Sequence, residues 1–111
     1  MPDDVLVKAG VEKTYSTRGA AELIGRSPQW IYWGLKPSED GGGDIFRTDD
    51  GQPIRPSHVG GKGRRRYTLP LVREMAIAAY KRGNLSEQML ETALERITYE
   101  EGPPRRRARS A

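Results

Sequence analysis

The chain has 111 residues, enough for one compact domain with tails, and its hydrophobic fraction of 35% indicates a small core. The absence of cysteine excludes a disulfide framework and a thiolate zinc site, and the lack of a long apolar run or signal-peptide pattern predicts a soluble, cytoplasmic protein without a membrane partner. The net charge of +4 suggests an anionic partner, but four arginines stand among residues 105–111, and the remainder balances 15 basic against 15 acidic residues.

Outside these four arginines, basic and acidic residues are concentrated in different parts of the chain. Residues 55–66 carry five basic side chains and no acidic one. Residues 39–50 and 87–101, in contrast, are rich in acid. The short basic segment is therefore the part of the body best suited to an anionic partner.

Residues 1–14 have little periodicity and are predicted to form an N-terminal arm. Residues 17–35 then predict two short helices joined by a three-residue turn. The cap and stop signals of these helices are Thr17, Gly25, Ser27 and Pro28. Helices this close together must cross steeply, as in a helix-turn-helix whose second helix enters the DNA major groove.

The middle of the chain is predicted to be loop and sheet. Residues 36–43 are loop by composition, because one proline and three glycines in eight residues disfavour a regular element. Asp49-Asp50-Gly51 indicates a hairpin turn, and Tyr67 is expected to point inward from a later strand. Strands are predicted near 44–47, 52–55 and 64–68. With their glycine-rich basic loops, residues 44–68 predict a small antiparallel wing.

Two further helices are predicted at 69–82 and 86–100, and they complete a domain that spans 15–101. The first has apolar residues at helical spacing that are expected to pack on the core: Leu69, Val72, Met75, Ala76, Ala79 and Tyr80. The second has an apolar stripe that would pack either on the same core or against a second copy of the chain: Met89, Leu90, Ala93, Leu94 and Ile97. Residues 102–111 are predicted to be a disordered basic tail. The predicted fold is mainly α with a small antiparallel β wing, that is, a winged helix-turn-helix with one or two C-terminal helices.

Several short motifs between Tyr15 and Gly83 carry a family resemblance. In chain order they are Tyr15-Ser16, Ala20-Ala21-x-Leu23, Gly25-x-Ser27 with Ile31, Gly34-Leu35-Lys36-Pro37, and Gly63-x-Arg65-x-Tyr67. Their order and spacing resemble the MerR-like winged helix-turn-helix domains, a group that includes small phage excisionases and related DNA-bending proteins. The resemblance implies a bacteriophage or bacterial DNA-binding protein for transcription control or recombination, with Arg65 as the wing arginine.

The chain departs from this family in three places. Tyr32 and Trp33 stand where the family usually has arginines, so base contacts cannot be transferred. Insertions at 41–51 and 57–63 lengthen the wing. Only about fifteen residues of helix follow the third predicted helix, so no inducer-binding site is expected.

The predicted DNA contacts lie on the first two helices, in the turn between them and in the wing. If Ile31 and Leu35 face the core, Gln29 and Trp33 fall on the far side of the second helix. A glutamine can contact adenine, and arginines can neutralise phosphates. The predicted site residues are Arg18, Arg26, Gln29, Tyr32, Trp33, Arg55, Lys62, Arg64, Arg65 and Arg66.

The residues predict no catalytic site, metal site or cofactor. His58 is the only histidine and stands in a loop without an evident partner group, so we expect no enzyme activity. The alternative from another class is a protein-interaction module, such as a phage effector that binds a host protein through Trp30, Tyr32 and Trp33. The apolar residues at 89–97 leave open a homodimer or cooperative monomers on nucleoid DNA.

Overall fold

The computed structural model describes residues 13–59 and 64–102. Within this part, the chain is mainly helical with a small antiparallel sheet, which confirms the coarse fold class. The elements in chain order are β1 (Thr14–Tyr15), α1 (Thr17–Ile24), α2 (Pro28–Leu35), β2 (Ser57–Val59), β3 (Arg64–Thr68), α3 (Leu69–Lys81) and α4 (Glu87–Glu101). The predictions for an arm at 1–12, for a contact by Lys62 and for a tail at 103–111 lie outside the described residues.

The N-cap of α1 is Ser16, not Thr17 as the sequence predicted. The Ser16 hydroxyl accepts a hydrogen bond from the backbone N–H of Gly19 at 3.1 Å. Thr17 instead turns inward and donates its hydroxyl proton to Tyr67 Oη at 3.1 Å. Serine and threonine are both preferred N-cap residues, and the contact of Thr17 with buried Tyr67 leaves the cap position to Ser16.

The turn between α1 and α2 forms as predicted. Gly25 ends α1 with a φ of 91°, a left-handed conformation that glycine adopts without steric cost. Ser27 then caps α2 by accepting from the backbone N–H of Trp30 at 3.2 Å, and Pro28 is the first helical residue. The two helices are therefore fixed by local side-chain chemistry at both sides of the turn.

The described sheet has three strands in the order β1-β3-β2, all antiparallel. Tyr15 pairs with Tyr67, and Thr14 pairs with Thr68. Thr14 therefore belongs to the sheet rather than to the predicted arm. On the other side of β3, the loop predicted after Ser57 begins with a strand, in which His58 pairs with Arg65.

The strands predicted near 44–47 and 52–55 are wrong. A single isolated bridge between Arg47 and Pro53 joins the two sides of this turn. Proline has no N–H to extend a ladder, and Asp44 at a φ of 53° bends the chain before the bridge. Within the described part of residues 44–68, the strands are therefore β2 and β3.

The segment after α2 also contains a regular turn that composition did not predict. Ser38–Asp40 form one turn of 3-10 helix inside the predicted loop. From the following segment, Phe46 and Ile54 enter the core, where they are 1% and 5% exposed. The segment that contains Phe46 and Ile54 therefore packs into the hydrophobic core instead of extending the sheet.

The two C-terminal helices match their predicted positions to within a residue at each end. Thr68 caps α3 and Ser86 caps α4, each through its side-chain hydroxyl. Tyr80 was predicted in the core but is 39% exposed, because it falls at the edge of the buried stripe. The largest fully buried side chains are Tyr67, Phe46, Ile24, Ile31, Met75, Ile97 and Val72. In the described ranges, no helix is both long and apolar enough to cross a membrane.

Candidate functional site

Helix α2 has a buried face and an exposed face. Trp30, Ile31, Gly34 and Leu35 are buried, which confirms the inward direction predicted for Ile31 and Leu35 and assigns Trp30 to the core. The ring of Trp30 packs edge-on against Phe46, with 5.5 Å between centroids and 81° between planes.

The exposed face of α2 continues one residue past the helix end. Its members recur at intervals of three, four and seven residues and are Gln29, Tyr32, Trp33 and Lys36. We call these four residues the α2 outer face. One side of α2 and its C-cap therefore presents an amide, two aromatic rings and an ammonium group.

Close packing fixes α2 from beneath. A Cβ atom at Gly34 would lie 2.6 Å from Phe46 Cε2 and 2.9 Å from Ile45 Cγ1, so only glycine permits this approach. The loop after α2 supports Trp33 in the same way, because a Cβ atom at Gly43 would lie 2.5 Å from the indole ring. The α2 outer face is thus held in place by two glycine contacts.

Strand β3 contributes a guanidinium group to the same surface. Arg65 lies over the ring of Tyr32, with its Cζ 5.2 Å from the ring centroid. Arg55 donates from Nη1 to the carbonyl oxygen of Leu35 at 2.9 Å and so satisfies one of the free carbonyls at the end of α2.

These groups surround a shallow cleft between α2 and β3. Its lining residues are Tyr32, Leu35, Lys36, Pro37, Arg55, Pro56 and Arg65. Three of them are basic and none is acidic, so we call this the cationic cleft. Anions of any kind would meet three positive charges there without an acidic competitor among its lining residues.

The predicted site residues divide into those the structure brings together and those it does not. Tyr32, Arg55 and Arg65 line the cationic cleft. Gln29 and Trp33 lie on the adjoining α2 outer face, where they are exposed.

The other arginines have different surroundings. Arg66 donates to Thr14 Oγ1 at 3.1 Å and to the Thr14 carbonyl at 3.3 Å, so it fastens β1 to β3 on the opposite face of the sheet from Arg65. Arg26 lies over the ring of Trp30 at 5.1 Å. Arg64 and Arg18 are exposed, and in the described part of the chain no contact connects either of them to the cleft.

The sequence reasoning did not select Lys36. The signal was present, because Lys36 stands four residues after Tyr32 and seven after Gln29, the spacing of one helical face. The glycine-rich composition of 36–43 indicates a loop, so Lys36 was not counted with the second helix. Residue spacing alone does not show that Leu35, Pro37 and Pro56 line the walls of the cleft.

Beneath the cleft, the Tyr67 phenol links β3 to α1. Burial raises the pKa of Tyr67 above its ordinary value of 10.0, and the hydrogen bond with Thr17 and the charge of Arg65 oppose that rise. The phenol therefore stays neutral at physiological pH and serves as a structural partner. Within residues 13–59 and 64–102, no group of three or more His, Asp or Glu side chains is arranged to hold a metal ion.

The family model described as Domain of unknown function (DUF7229) matches residues 5–100. The chain belongs to this family. The DUF7229 match includes every element from β1 to α4 except the last residue of α4. No curated protein and no solved structure matches the chain.

Proposed function

We propose that this DUF7229 domain is a non-enzymatic protein that binds duplex DNA as a winged helix-turn-helix. The observation that carries the proposal is the contact of Arg65 with Tyr32, which joins a basic strand to the α2 outer face. In the proposal, α2 enters the major groove and the β2–β3 wing follows the adjacent backbone.

The chemistry of the α2 outer face suits this task. The Gln29 side chain can donate to and accept from the edge of adenine, and Tyr32 can reach a phosphate oxygen. Lys36, Arg55 and Arg65 would neutralise phosphates, as would Arg64 at the start of β3. The family resemblance adds two settings, transcription control and architectural bending in phage recombination.

A salt titration of binding tests the proposal. Log affinity for a mixed-sequence duplex should fall linearly with log salt, with a slope set by roughly four to eight neutralised phosphates. The absence of duplex binding even at about 50 mM salt would refute the proposal.

Charge-neutral variants sharpen that titration. A Lys36→Gln and Arg65→Gln double variant should reduce the slope by about 1.8, because each phosphate contact contributes about 0.9. Lys81→Gln is a matched control, since Lys81 is an exposed cation that pairs with Asp49 and does not line the cleft. Gln29→Ala should instead change the preference among duplexes with little effect on the slope.

A protein partner is the second candidate for the same surface. Tyr32 is 46% exposed and Trp33 is 41% exposed, and exposed aromatic side chains are enriched at protein interfaces. Purification from lysate with and without nuclease separates the two functions. A partner that remains after nuclease treatment and is lost in Trp33→Ala favours protein recognition.

A further inference from the structure

A second cleft lies between α1 and α4 and has the opposite charge. Glu22 comes from α1, and Glu95 and Glu100 come from α4. Leu23 contributes an apolar surface, and Tyr99 stands beside it with 83% of its surface exposed. We call this the acidic cleft.

Internal contacts account for part of the charge in this cleft. Arg96 donates from Nη1 to the carbonyl oxygen of Leu23 at 3.1 Å. Glu100 accepts from Tyr15 Oη at 2.7 Å and from Lys13 Nζ at 3.1 Å. Glu22 and Glu95 have no ion-pair partner among the described residues.

The C-terminal end of α4 also favours a positively charged partner. The C-terminal end of a helix carries a partial negative charge, which basic side chains in the last turn usually complement. The last turn of α4 contains no basic residue and ends in Glu100 and Glu101. Glu100 pairs with Lys13 and Glu101 with Arg73, and both cations come from outside α4.

We infer that the acidic cleft binds the chain's own basic segment at 105–109, folded back along α4. Guanidinium groups would bridge Glu22 and Glu95, and one of them would stack on the Tyr99 ring while its methylene groups cover Leu23. The match of charge and the position at which α4 ends support this occupant over other cations. The inference is independent of DNA binding by α2.

The basic segment is close enough along the chain to reach the acidic cleft. Glu95 stands six residues before the end of α4, which is about 9 Å along the helix axis. Arg105 follows Glu101 by four residues, and four extended residues reach up to roughly 13 Å. Gly102 has a φ of 78°, which turns the chain out of the helix direction at the required place.

A paramagnetic label on the full-length chain tests the inference. Because the chain has no cysteine, Ser110→Cys provides a single attachment site beside the basic segment. The label should broaden the backbone amide signals of Gly19, Leu23 and Tyr99, and leave those of residues 29–36 sharp. Broadening should also weaken as salt rises from about 50 to 500 mM, because exposed ion pairs are screened.

Two neutral variants give the matched comparison. Glu22→Gln with Glu95→Gln keeps side-chain shape and should lower the docked fraction relative to the free fraction by roughly tenfold. Glu87→Gln removes the same kind of charge from the first turn of α4, outside the cleft, and should leave the broadening unchanged.

Three results would overturn the inference. They are broadening that spreads evenly over the surface, broadening that survives in the double variant, and broadening that requires a second molecule. The last is measured by mixing isotope-labelled chains without the spin label and unlabelled chains that carry it.

Discussion

The two clefts of this domain make an instructive contrast. The cationic cleft between α2 and β3 has three basic residues in its lining and no acid, whereas the acidic cleft between α1 and α4 has three carboxylates and one arginine. The net charge without the four C-terminal arginines is zero, yet the domain has two surfaces of opposite charge. An overall charge near zero is therefore no argument against an anionic partner when the charges are segregated.

The two surfaces also differ in how the fold holds them. The α2 outer face depends on a non-helical segment beneath it, through Phe46 and through the glycines at 34 and 43. The acidic cleft depends on helix packing, with Ala93 and Ile97 of α4 fully buried. Substitutions in the segment beneath α2 should therefore disturb the α2 outer face more than the acidic cleft.

The largest expected effect follows removal of the support beneath α2. Phe46→Ala takes away a ring that is 1% exposed and leaves a cavity under Trp30, so the free energy of unfolding should fall by about 3–5 kcal/mol. Urea denaturation monitored by tryptophan fluorescence measures the loss. A change below about 1 kcal/mol would contradict the packing described for this segment.

The two helical glycines allow a matched comparison of the two surfaces. Gly34→Ala should destabilise by about 1–3 kcal/mol, because its Cβ would lie 2.6 Å from Phe46. Gly19→Ala places a Cβ 3.3 Å from Tyr15 Cβ and Cδ2, a contact relieved by a shift of a few tenths of an ångström, so its change should stay within about 1 kcal/mol. Equal losses in thermal or urea unfolding would show that α2 is not held more tightly than α1.

The smallest expected effect concerns pH at the acidic cleft. The hydrogen bond from Tyr15, and then that from Lys13, lowers the pKa of Glu100 below its ordinary value of 4.5. A depressed pKa means that the ionised form stabilises the fold above about pH 4.5 and that this stabilisation is lost as the pH falls through the lowered value. Glu100→Gln should therefore lower the melting temperature slightly at neutral pH.

The difference between the wild-type protein and Glu100→Gln should shrink as the pH falls below 4.5. Melting curves recorded from neutral to acidic pH measure it, and Glu91→Gln serves as the control because Glu91 is an exposed carboxyl inside α4, away from both helix ends. A difference that grows on acidification would contradict the contact.

Much of the helical structure could be predicted from local signals. The Gly25 stop, the Ser27 and Pro28 start and the Ser86 cap are decided within a few residues of the chain, and the structure confirms each of them. Once Ile31 and Leu35 are placed toward the core, helical spacing puts Gln29 and Trp33 on the outer side, where they are exposed.

Features that depend on distant parts of the chain could not be predicted in this way. β1 forms because Tyr15 pairs with Tyr67, which is more than fifty residues away. Arg65 and Arg66 are both predicted site residues, but the hydrogen bonds of Arg66 to Thr14 hold it away from the cationic cleft. Long-range pairing, which no local pattern encodes, therefore determined the membership of the candidate site.

We propose that the cationic cleft and the α2 outer face, rather than the acidic cleft, contact duplex DNA. Amide and indole chemical shifts measured while a mixed-sequence duplex is added at about 50 mM salt test it residue by residue. We expect the largest shifts at residues 29–36, at the Trp33 indole and at Arg64 and Arg65, with small shifts at Leu23 and Glu95. Shifts concentrated on α4, or none at any duplex concentration, would contradict it.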